Sequence, residues 1–342
     1  MGESSAERPC VSVIVCHHRG RTLIDRCLTS VRASQGVTVD LVVVTSDPTY
    51  TAPVGRLLFL DDGPAAKRNL GVAHSDAEYC VFLDDDVEVS PDCLAAFVRF
   101  LETHPTCGMA FAKILKMEEG RRDEFDDCGS WLTWTGFLWA RAQNKQYDRG
   151  QFDVPTRILA SKSATCIITR EAFNRVRGFD QSYYILGEET DLAWRVWLSG
   201  AEVWYVPTAV SWHAFGCESL KPKQEFYTDE RIFYRGCKNY LSLLWTNVGL
   251  GRLSRTLPPH VSAWVLSAAG FFFTGHPRRS VQIMRALWDT ARTLPDLQRN
   301  RRRVQTTRVI SDRVLWPLIS YQPPFSYYWQ RMTRYLTQGL HG

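Results

Sequence analysis

The sequence predicts a doubly wound α/β domain with a mostly parallel sheet, and three observations support this class. Short runs of β-branched residues alternate with stretches of helical periodicity from the N-terminus onward. Each run ends in turn-forming polar residues, as strands of α/β sheets commonly do. Hydrophobic residues make up 45% and charged residues 23% of the 342 residues, which is typical of a globular protein.

The predicted elements follow one another in a regular order. Strands are predicted at residues 11–16, 39–44, 56–60, 79–83, 166–168, 203–207 and 210–213. Helices are predicted at residues 23–31, 64–75, 91–103, 170–178 and 190–200, and helical periodicity returns beyond residue 226. The segment 108–150 lacks regular alternation and is predicted to be a long functional loop.

Three carboxylates, Asp84, Asp85 and Asp86, directly follow the predicted strand at 79–83. Open α/β sheets bind ligands at the carboxyl ends of their strands, so these side chains are expected in a cleft. Adjacent carboxylates repel one another, and a divalent cation with oxygen ligands relieves that repulsion. Capping of the next helix is the structural alternative. The pattern indicates a metal–diphosphate site.

A second acidic group, Glu188, Glu189 and Asp191, lies at the start of the helix predicted from residue 190. The helix dipole stabilises negative charge there, so capping is again an alternative to catalysis. His213 ends the last predicted strand and is a candidate ligand, although a single histidine is more often an ordinary structural residue.

Several further residues suit a phosphorylated sugar. Lys67 and Arg68 lie near a helix N-terminus, where free amides and cations favour a phosphate, and Asn69 follows them. Neither a GxGxxG nor a GxxxxGK[ST] element is present.

The tryptophan-rich segment after residue 108 suits a sugar. Trp134 offers an apolar face for a sugar ring, with core packing as the competing interpretation. Ser163 and Ala164 are small enough for a ligand to approach the backbone.

The net charge is +5, and basic residues concentrate between 278 and 308, together with many aromatic residues. This composition fits a helical region bound to a membrane surface, or a plain helical appendage. Ten single cysteines without zinc-site spacing favour a reducing compartment. The N-terminus is polar and no stretch reaches about 18 apolar residues, so we expect a cytoplasmic protein, peripheral at the inner face of the membrane.

The order of the motifs resembles family 2 glycosyltransferases with the GT-A fold, most of all the bacterial rhamnosyltransferase-type members. The resemblance covers residues 11–247 and leaves 248–342 as a helical extension. The motifs that carry it are residues 11–15 with 28–31, 66–71, 82–87, 178–180, 188–192, 205–207 with His213, and 238–239.

The resemblance implies a division of labour among the acidic residues. Asp86 would hold Mg²⁺ or Mn²⁺ on the diphosphate of a sugar nucleotide, and Asp84 would face the ribose or donor sugar. Glu189 would deprotonate the acceptor hydroxyl in an inverting reaction. His213 falls where family members place a histidine near the metal or diphosphate.

The nucleotide-sugar site is expected at the first strand ends. Its candidate residues are Cys16, His17, Arg19, Thr45, Asp47, Lys67, Arg68, Asn69, Asp84 and Asp85. Relatives usually have an aspartate where this chain has Thr45, with Asp47 two residues on. Uridine and thymidine therefore both stay open, so the expected donor is a UDP- or dTDP-sugar. The expected acceptor is a saccharide or lipid-linked sugar of the cell envelope.

Other functions agree less well with the sequence. A haloacid-dehalogenase-type phosphatase requires threonine or valine where Glu88 stands, and a sugar nucleotidyltransferase would have a glycine-rich N-terminal loop. A nucleic-acid partner is not expected, because the basic run lacks a recognised reading motif. A catalytically degenerate relative acting as a membrane scaffold would need the 299–303 arginines but neither Asp86 nor Glu189.

Overall fold

The fold is a mixed sheet with helices on both faces, seen in a computed structural model. The structure describes residues 8–18, 23–51, 55–117, 122–142, 146–214, 230–324 and 326–329. Arg19, one of the predicted nucleotide contacts, lies outside the described residues.

The described elements have the following bounds. The strands are β1 (Cys10–His17), β2 (Thr38–Thr45), β3 (Arg56–Phe59), β4 (Tyr79–Asp84), β5 (Val87–Val89), β6 (Cys107–Lys116), β7 (Phe125–Asp127), β8 (Ser130–Leu132), β9 (Leu138–Ala140), β10 (Thr156–Arg157), β11 (Thr165–Thr169) and β12 (Glu202–His213). The helices are α1 (Ile24–Arg32), α2 (Pro64–Ala73), α3 (Cys93–Thr103), α4 (Arg170–Arg175), α5 (Glu188–Leu198), α6 (Glu230–Asn247), α7 (Leu250–Phe273), α8 (Pro277–Arg292), α9 (Leu294–Thr306) and α10 (Trp316–Ile319).

The main sheet has the strand order β10-β12-β6-β11-β4-β1-β2-β3. Strands β4, β1, β2 and β3 are parallel, as are β6 and β12, whereas β11 runs antiparallel to both of its neighbours. Strand β5 pairs with the end of β12, β7 pairs with β6, and β8 and β9 form a separate hairpin. The predicted doubly wound α/β class is confirmed, and the carboxyl ends of β1, β2 and β4 share one edge.

Alternate residues of β1 enter two apolar cores, one on each face of the sheet. Val13 and Val15 pack in the core that includes α1 and α3, and Ile14 packs in the core that includes α2 and α5. A strand buried on both faces reads as a continuous apolar run. On the α2 side, a Cβ at Gly71 would lie 2.4 Å from Cγ2 of Ile14, so the close approach of helix to strand requires glycine.

The prediction of an irregular loop at 108–150 is wrong. The segment contains most of β6, together with β7, β8 and β9. Strand β6 lies between β12 and β11, and all its residues are buried except Lys116, which is half-buried. The sequence of β6 contains only one β-branched residue, Ile114, and is otherwise rich in glycine, alanine and lysine, which are depleted in strands.

The two short strands predicted at 203–207 and 210–213 are one strand, β12. Its register against β6 shifts between Val206 and Val210. Pro207 lies inside this irregularity, where its missing N–H leaves the ladder intact on either side. The continuous strand carries His213 to the edge that holds the acidic residues.

The helices after residue 247 share a core with the sheet. Val248, Leu253, Val304 and Leu315 belong to the same apolar cluster as β4 and α5. The predicted boundary at residue 247, between the glycosyltransferase-like region and a helical extension, stays a prediction. Within the described residues, no helix is long and apolar enough to cross a membrane.

Candidate active site

Asp84, Asp86 and His213 converge at the carboxyl edge of the sheet. Asp84 ends β4, Asp86 lies in the turn that follows, and His213 ends β12. Strand β5 pairs with the end of β12, with Val87 opposite His213, and this places the imidazole beside the turn. One ligand atom from each of the three residues lies within 4.8 Å of the others. We call these three residues the ligand cluster.

Two carboxylates hold the imidazole of His213. Its Nε2 lies 3.3 Å from Oδ1 of Asp86, and its Nδ1 lies 2.9 Å from Oδ2 of Asp126. Lys162 Nζ lies 2.6 Å from the other oxygen of Asp126. Burial disfavours the charged imidazolium, but Asp86 and Asp126 outweigh it and raise the pKa of His213 to about 10. The ligand cluster therefore strongly attracts positive charge.

Asp126 was not among the predicted site residues. Burial alone would raise the pKa of its carboxyl, but Lys162 and His213 hold that pKa well below its usual range. The Asp126-Asp127 pair was visible in the sequence, but its contact with His213 joins positions far apart in the chain. Only the pairing of β6 with both β7 and β12 brings them together.

The guanidinium of Arg68 joins the two predicted acidic groups. Its Nη2 lies 2.9 Å from Oδ1 of Asp84, and its Nη1 lies 3.1 Å from Oε1 of Glu188. The guanidinium is buried and lies over the ring of Phe179, 5.3 Å from the ring centroid. The predicted metal site and the predicted base region are therefore parts of one continuous site.

The three carboxylates at the start of α5 differ in their contacts. Asp191 is buried and accepts hydrogen bonds from Arg195 Nε at 2.7 Å and Asn247 Nδ2 at 2.8 Å. Glu188 is bound to Arg68. Glu189 is half-buried and has no salt bridge to any residue in the described ranges. Burial, followed by the charge of Glu188, raises the pKa of Glu189 well above its usual range.

Asn239 holds the loop before α5. In the sequence it is visible only as part of the 238–239 motif, which gives it no role. The Asn239 Nδ2 group donates to the carbonyl oxygens of Ile185 at 2.9 Å and Leu186 at 2.7 Å. Tyr184 and Leu186 have φ angles of 61° and 72°, which are unfavourable for residues with a side chain. The amide of Asn239 fixes this strained loop directly ahead of Glu188.

The ends of β1 and β2 form a polar corner beside the ligand cluster. His17 Nδ1 lies 2.8 Å from Thr45 Oγ1, and the ring centroids of His17 and Tyr50 are 4.4 Å apart. Lys67 Nζ donates to the carbonyl oxygen of His17 at 2.7 Å and to Ser46 Oγ at 3.2 Å. Lys67 is buried, and this burial lowers the pKa of its amine.

Other predicted nucleotide contacts lie around this corner. Asp85 accepts a hydrogen bond from the backbone N–H of His18 at 2.9 Å. The Asp47 carboxylate accepts from the backbone and hydroxyl of Thr49 at 2.9 and 2.7 Å. Cys16 is buried, and burial raises the pKa of its thiol to about 12.

Asn69 has a structural contact in the described protein. Its side chain bonds in both directions with the backbone of Phe179, at 2.9 Å for each hydrogen bond. It thereby ties α2 to the segment that precedes α5.

The predicted sugar contacts are at two different places. The carbonyl oxygen of Ala164 accepts from the Asp84 N–H at 3.2 Å, so Ser163 and Ala164 lie next to the ligand cluster. Trp134 lies in the turn between β8 and β9, where its side chain is exposed. Its backbone N–H donates to the carbonyl oxygen of Tyr321 at 3.2 Å.

The sequence is similar to that of known proteins. Residues 56–170 match the family described as glycosyl transferase family 2. Pre-mycofactocin glycosyltransferases of two Mycobacterium tuberculosis strains, CDC 1551 / Oshkosh and H37Rv, are each 28% identical over 155 residues. The match covers 44% of this chain and 30% of each relative, so the chain corresponds to under a third of their length.

Two solved structures share the fold. GalNAc-T7 with UDP, GalNAc and Mn²⁺ has a TM-score of 0.53 and 16% identity, over 71% of this chain and 48% of that one. Staphylococcus aureus TarS 1-349 has a TM-score of 0.50 and 16% identity, over 87% and 88%. The fold is that of GT-A glycosyltransferases. The match at residues 56–170 bears out the predicted resemblance to glycosyl transferase family 2.

Proposed function

We propose that the chain is an inverting, metal-dependent glycosyltransferase. It moves a sugar from a nucleotide-diphosphate donor to a hydroxyl of a saccharide or lipid-linked acceptor of the cell envelope. The main support is the convergence of Asp84, Asp86 and His213 at the sheet edge, with Arg68 linking Asp84 to the start of α5. A cation-binding group and a candidate base in one cleft fit group transfer from a diphosphate.

The ligand cluster fits a divalent cation such as Mn²⁺ or Mg²⁺. It offers two carboxylates and, when a cation displaces the proton of His213, an imidazole, which are donors that Mn²⁺ readily accepts. When bound, the cation would supply a positive charge that stabilises the departing diphosphate. The ion pair with Arg68 Nη2 at 2.9 Å orients the carboxylate of Asp84 within the ligand cluster.

Glu189 is the proposed general base. It accepts the proton of the acceptor hydroxyl while that oxygen bonds to the anomeric carbon and the bond from this carbon to the diphosphate oxygen breaks. A raised pKa brings a carboxylate closer to neutral pH, where a base is most effective. Asp191 is engaged by Arg195 and Asn247, which favours Glu189 over Asp191. A single displacement inverts the configuration.

The nucleoside is proposed to lie in the corner formed by His17, Thr45 and Asp47. The half-buried ring of Tyr50, packed on the buried ring of His17, offers an aromatic surface, and Thr45 has a hydroxyl where the family resemblance implies a carboxylate. UDP- and dTDP-sugars are both proposed donors.

The proposed location is the cytoplasm, peripheral to the inner face of the membrane. Eight of the nine described cysteines are buried and none of the nine is in a disulfide, which supports a reducing compartment.

Transfer assays on the purified chain test this function. A panel of UDP- and dTDP-sugars is offered with oligosaccharide and lipid-linked acceptors, and proton NMR gives the anomeric configuration of the product. Glu189→Gln should lower kcat by about 10² or more, because it removes the base while keeping the shape. The matched control is Glu171→Gln, since Glu171 is an exposed residue of α4. Retained configuration, or full activity of Glu189→Gln, would contradict the proposal.

A further inference from the structure

Helices α7 and α8 form an antiparallel pair joined by residues 274–276. Their inner faces pack with α6 in a small apolar core. This core includes Phe233, Cys237, Trp264, Ala268, Phe271, Ile283 and Ala286. The opposite faces of both helices are therefore turned away from the protein.

The outer face of α7 is apolar. Leu266 is 70% exposed, Phe272 61% and Phe273 85%, and Val265 beside them is also exposed. No charged residue occurs between Arg255 and Arg278 in the sequence. Contiguous exposed apolar surface of this kind usually marks an interaction site.

The outer face of α8 combines apolar and basic side chains. Val281, Met284 and Trp288 are exposed. They alternate with Arg278, Arg285 and Arg292, which are exposed as well. We use the name hairpin face for the surface made by Val265, Leu266, Phe272, Phe273, Arg278, Val281, Met284, Arg285, Trp288 and Arg292.

The charge of the surrounding sequence has one sign. Between Glu230 and Asp289 no acidic residue occurs. The basic residues of the same stretch are Arg231, Arg235, Lys238, Arg252, Arg255, Arg278, Arg279 and Arg285. The stretch that carries the hairpin face is therefore basic, and the acidic residues that bound it, Glu230 and Asp289, lie beside Arg278 and Arg285.

Of the arginines at 299–303, to which the scaffold hypothesis assigned membrane binding, two have partners in other elements of the protein, whereas Arg299 and Arg302 are exposed. Arg301 is buried and donates to the carbonyl oxygens of Trp245 and Val248. Arg303 pairs with Asp180 at 3.4 Å. Arg278 and Arg285 of the hairpin face also have acidic neighbours, Glu230 at 4.0 Å and Asp289 at 3.6 Å, but their side chains are 85% and 65% exposed and can reach a partner.

We propose that the hairpin face docks on an anionic lipid surface. Exposed phenylalanines and leucine insert at the boundary of headgroups and acyl chains, and arginines pair with lipid phosphates. A second copy of this chain is a poorer partner, because two hairpin faces would bring like charges together. The inference rests on the proposed function only in naming the lipid-linked acceptor that such docking would place near the enzyme.

Flotation of the full chain with vesicles tests the proposal without any donor or acceptor. One vesicle contains phosphatidylcholine alone, and the other contains equal parts of phosphatidylcholine and phosphatidylglycerol. The wild-type chain should float with the anionic vesicles, and less so as salt rises. Phe272→Ser/Phe273→Ser should lose about tenfold or more of the partition coefficient. Arg278→Gln/Arg285→Gln/Arg292→Gln should lose the preference for anionic vesicles.

Matched controls separate the hairpin face from general surface effects. Leu57→Ser/Phe59→Ser removes two exposed apolar side chains at the β3 edge of the sheet. Arg32→Gln/Arg99→Gln/Arg149→Gln removes three exposed arginines elsewhere. Both controls should bind vesicles like the wild type, and circular dichroism checks that each variant is folded.

Three outcomes would overturn the proposal. These are failure of the wild type to bind either vesicle, unchanged binding by folded hairpin variants, and a dimer in light scattering that Phe272→Ser/Phe273→Ser dissociates. The last would assign the face to a second copy. Because vesicle binding is measured apart from transfer, loss of either activity leaves the other result intact.

Discussion

At the scale of single residues, His213 has the most constrained side chain of the site. Asp126 Oδ2 accepts a hydrogen bond from Nδ1 at 2.9 Å, which leaves Nε2 directed to Asp86. A carboxylate behind a ligating histidine fixes its ring and tautomer and increases its basicity. Asp126 is therefore expected to orient His213 for the cation.

Asp126→Asn should weaken Mn²⁺ binding by about 10-fold to 100-fold, because a neutral asparagine cannot place a negative charge at Nδ1 of His213. Electron paramagnetic resonance of free Mn²⁺ during a titration measures the affinity without turnover. Asp153→Asn is the control, because Asp153 lies in the segment after β9 and pairs with Lys113 of β6, not with His213. Equal affinity in Asp126→Asn and the wild type would show that Asp126 does not act through His213.

The raised pKa of Glu189 predicts the pH profile of the reaction. The ionised carboxylate is the base, so activity is present above this pKa and is lost as pH falls through it. The acid limb of kcat/KM should therefore lie above the ordinary glutamate pKa of about 4.3.

The kcat/KM profile is measured with saturating Mn²⁺ at every pH. Glu189 is not the base if kcat/KM falls only near the ordinary glutamate pKa. The same holds if the acid side of the profile is unchanged in Glu189→Gln.

At the scale of elements, the strands next to the site were the easiest to predict. Strands β1, β2 and β4 are short β-branched or aromatic runs that end in polar residues, so their pattern is local. Strand β6 was missed because it has one β-branched residue, Ile114, among glycine, alanine and lysine residues that are depleted in strands. The contacts of Arg68 with two acidic groups, and of Asp126 with His213, depend on long-range pairing that no local pattern records.

The loop between Tyr183 and Gly187 is expected to depend on α6. Asn239→Ala would leave carbonyl oxygens of a strained loop without their donor, at a cost of about 1–3 kcal/mol in unfolding free energy. Since the loop leads into Glu188 and Glu189, kcat should fall while the nucleotide Kd stays near that of the wild type.

Urea unfolding, transfer kinetics and nucleotide titration together check this prediction. Asn174→Ala is the control, because Asn174 is an exposed residue of α4. If Asn239→Ala loses stability and nucleotide affinity but keeps kcat, its role is structural and does not extend to the base.

At the scale of the whole molecule, one edge of the sheet holds the ligand cluster, the polar corner and the start of α5. The family match at 56–170 covers β4 and the acidic turn, whereas α5 and His213 lie beyond it. The helices after residue 247 complete the core of the sheet and expose the hairpin face on their outer side. Catalysis and surface attachment are thus assigned to different parts of one chain.

The most direct test of the proposed site is calorimetric titration of UDP and dTDP, with and without Mn²⁺. It uses the wild type, Asp86→Ala and the exposed-residue control Asp92→Ala. We predict that at least one nucleotide binds the wild type and Asp92→Ala only with Mn²⁺, and that Asp86→Ala loses this binding. Binding that ignores Mn²⁺ and survives Asp86→Ala, or no binding of either nucleotide, would contradict a metal–diphosphate site at Asp84, Asp86 and His213.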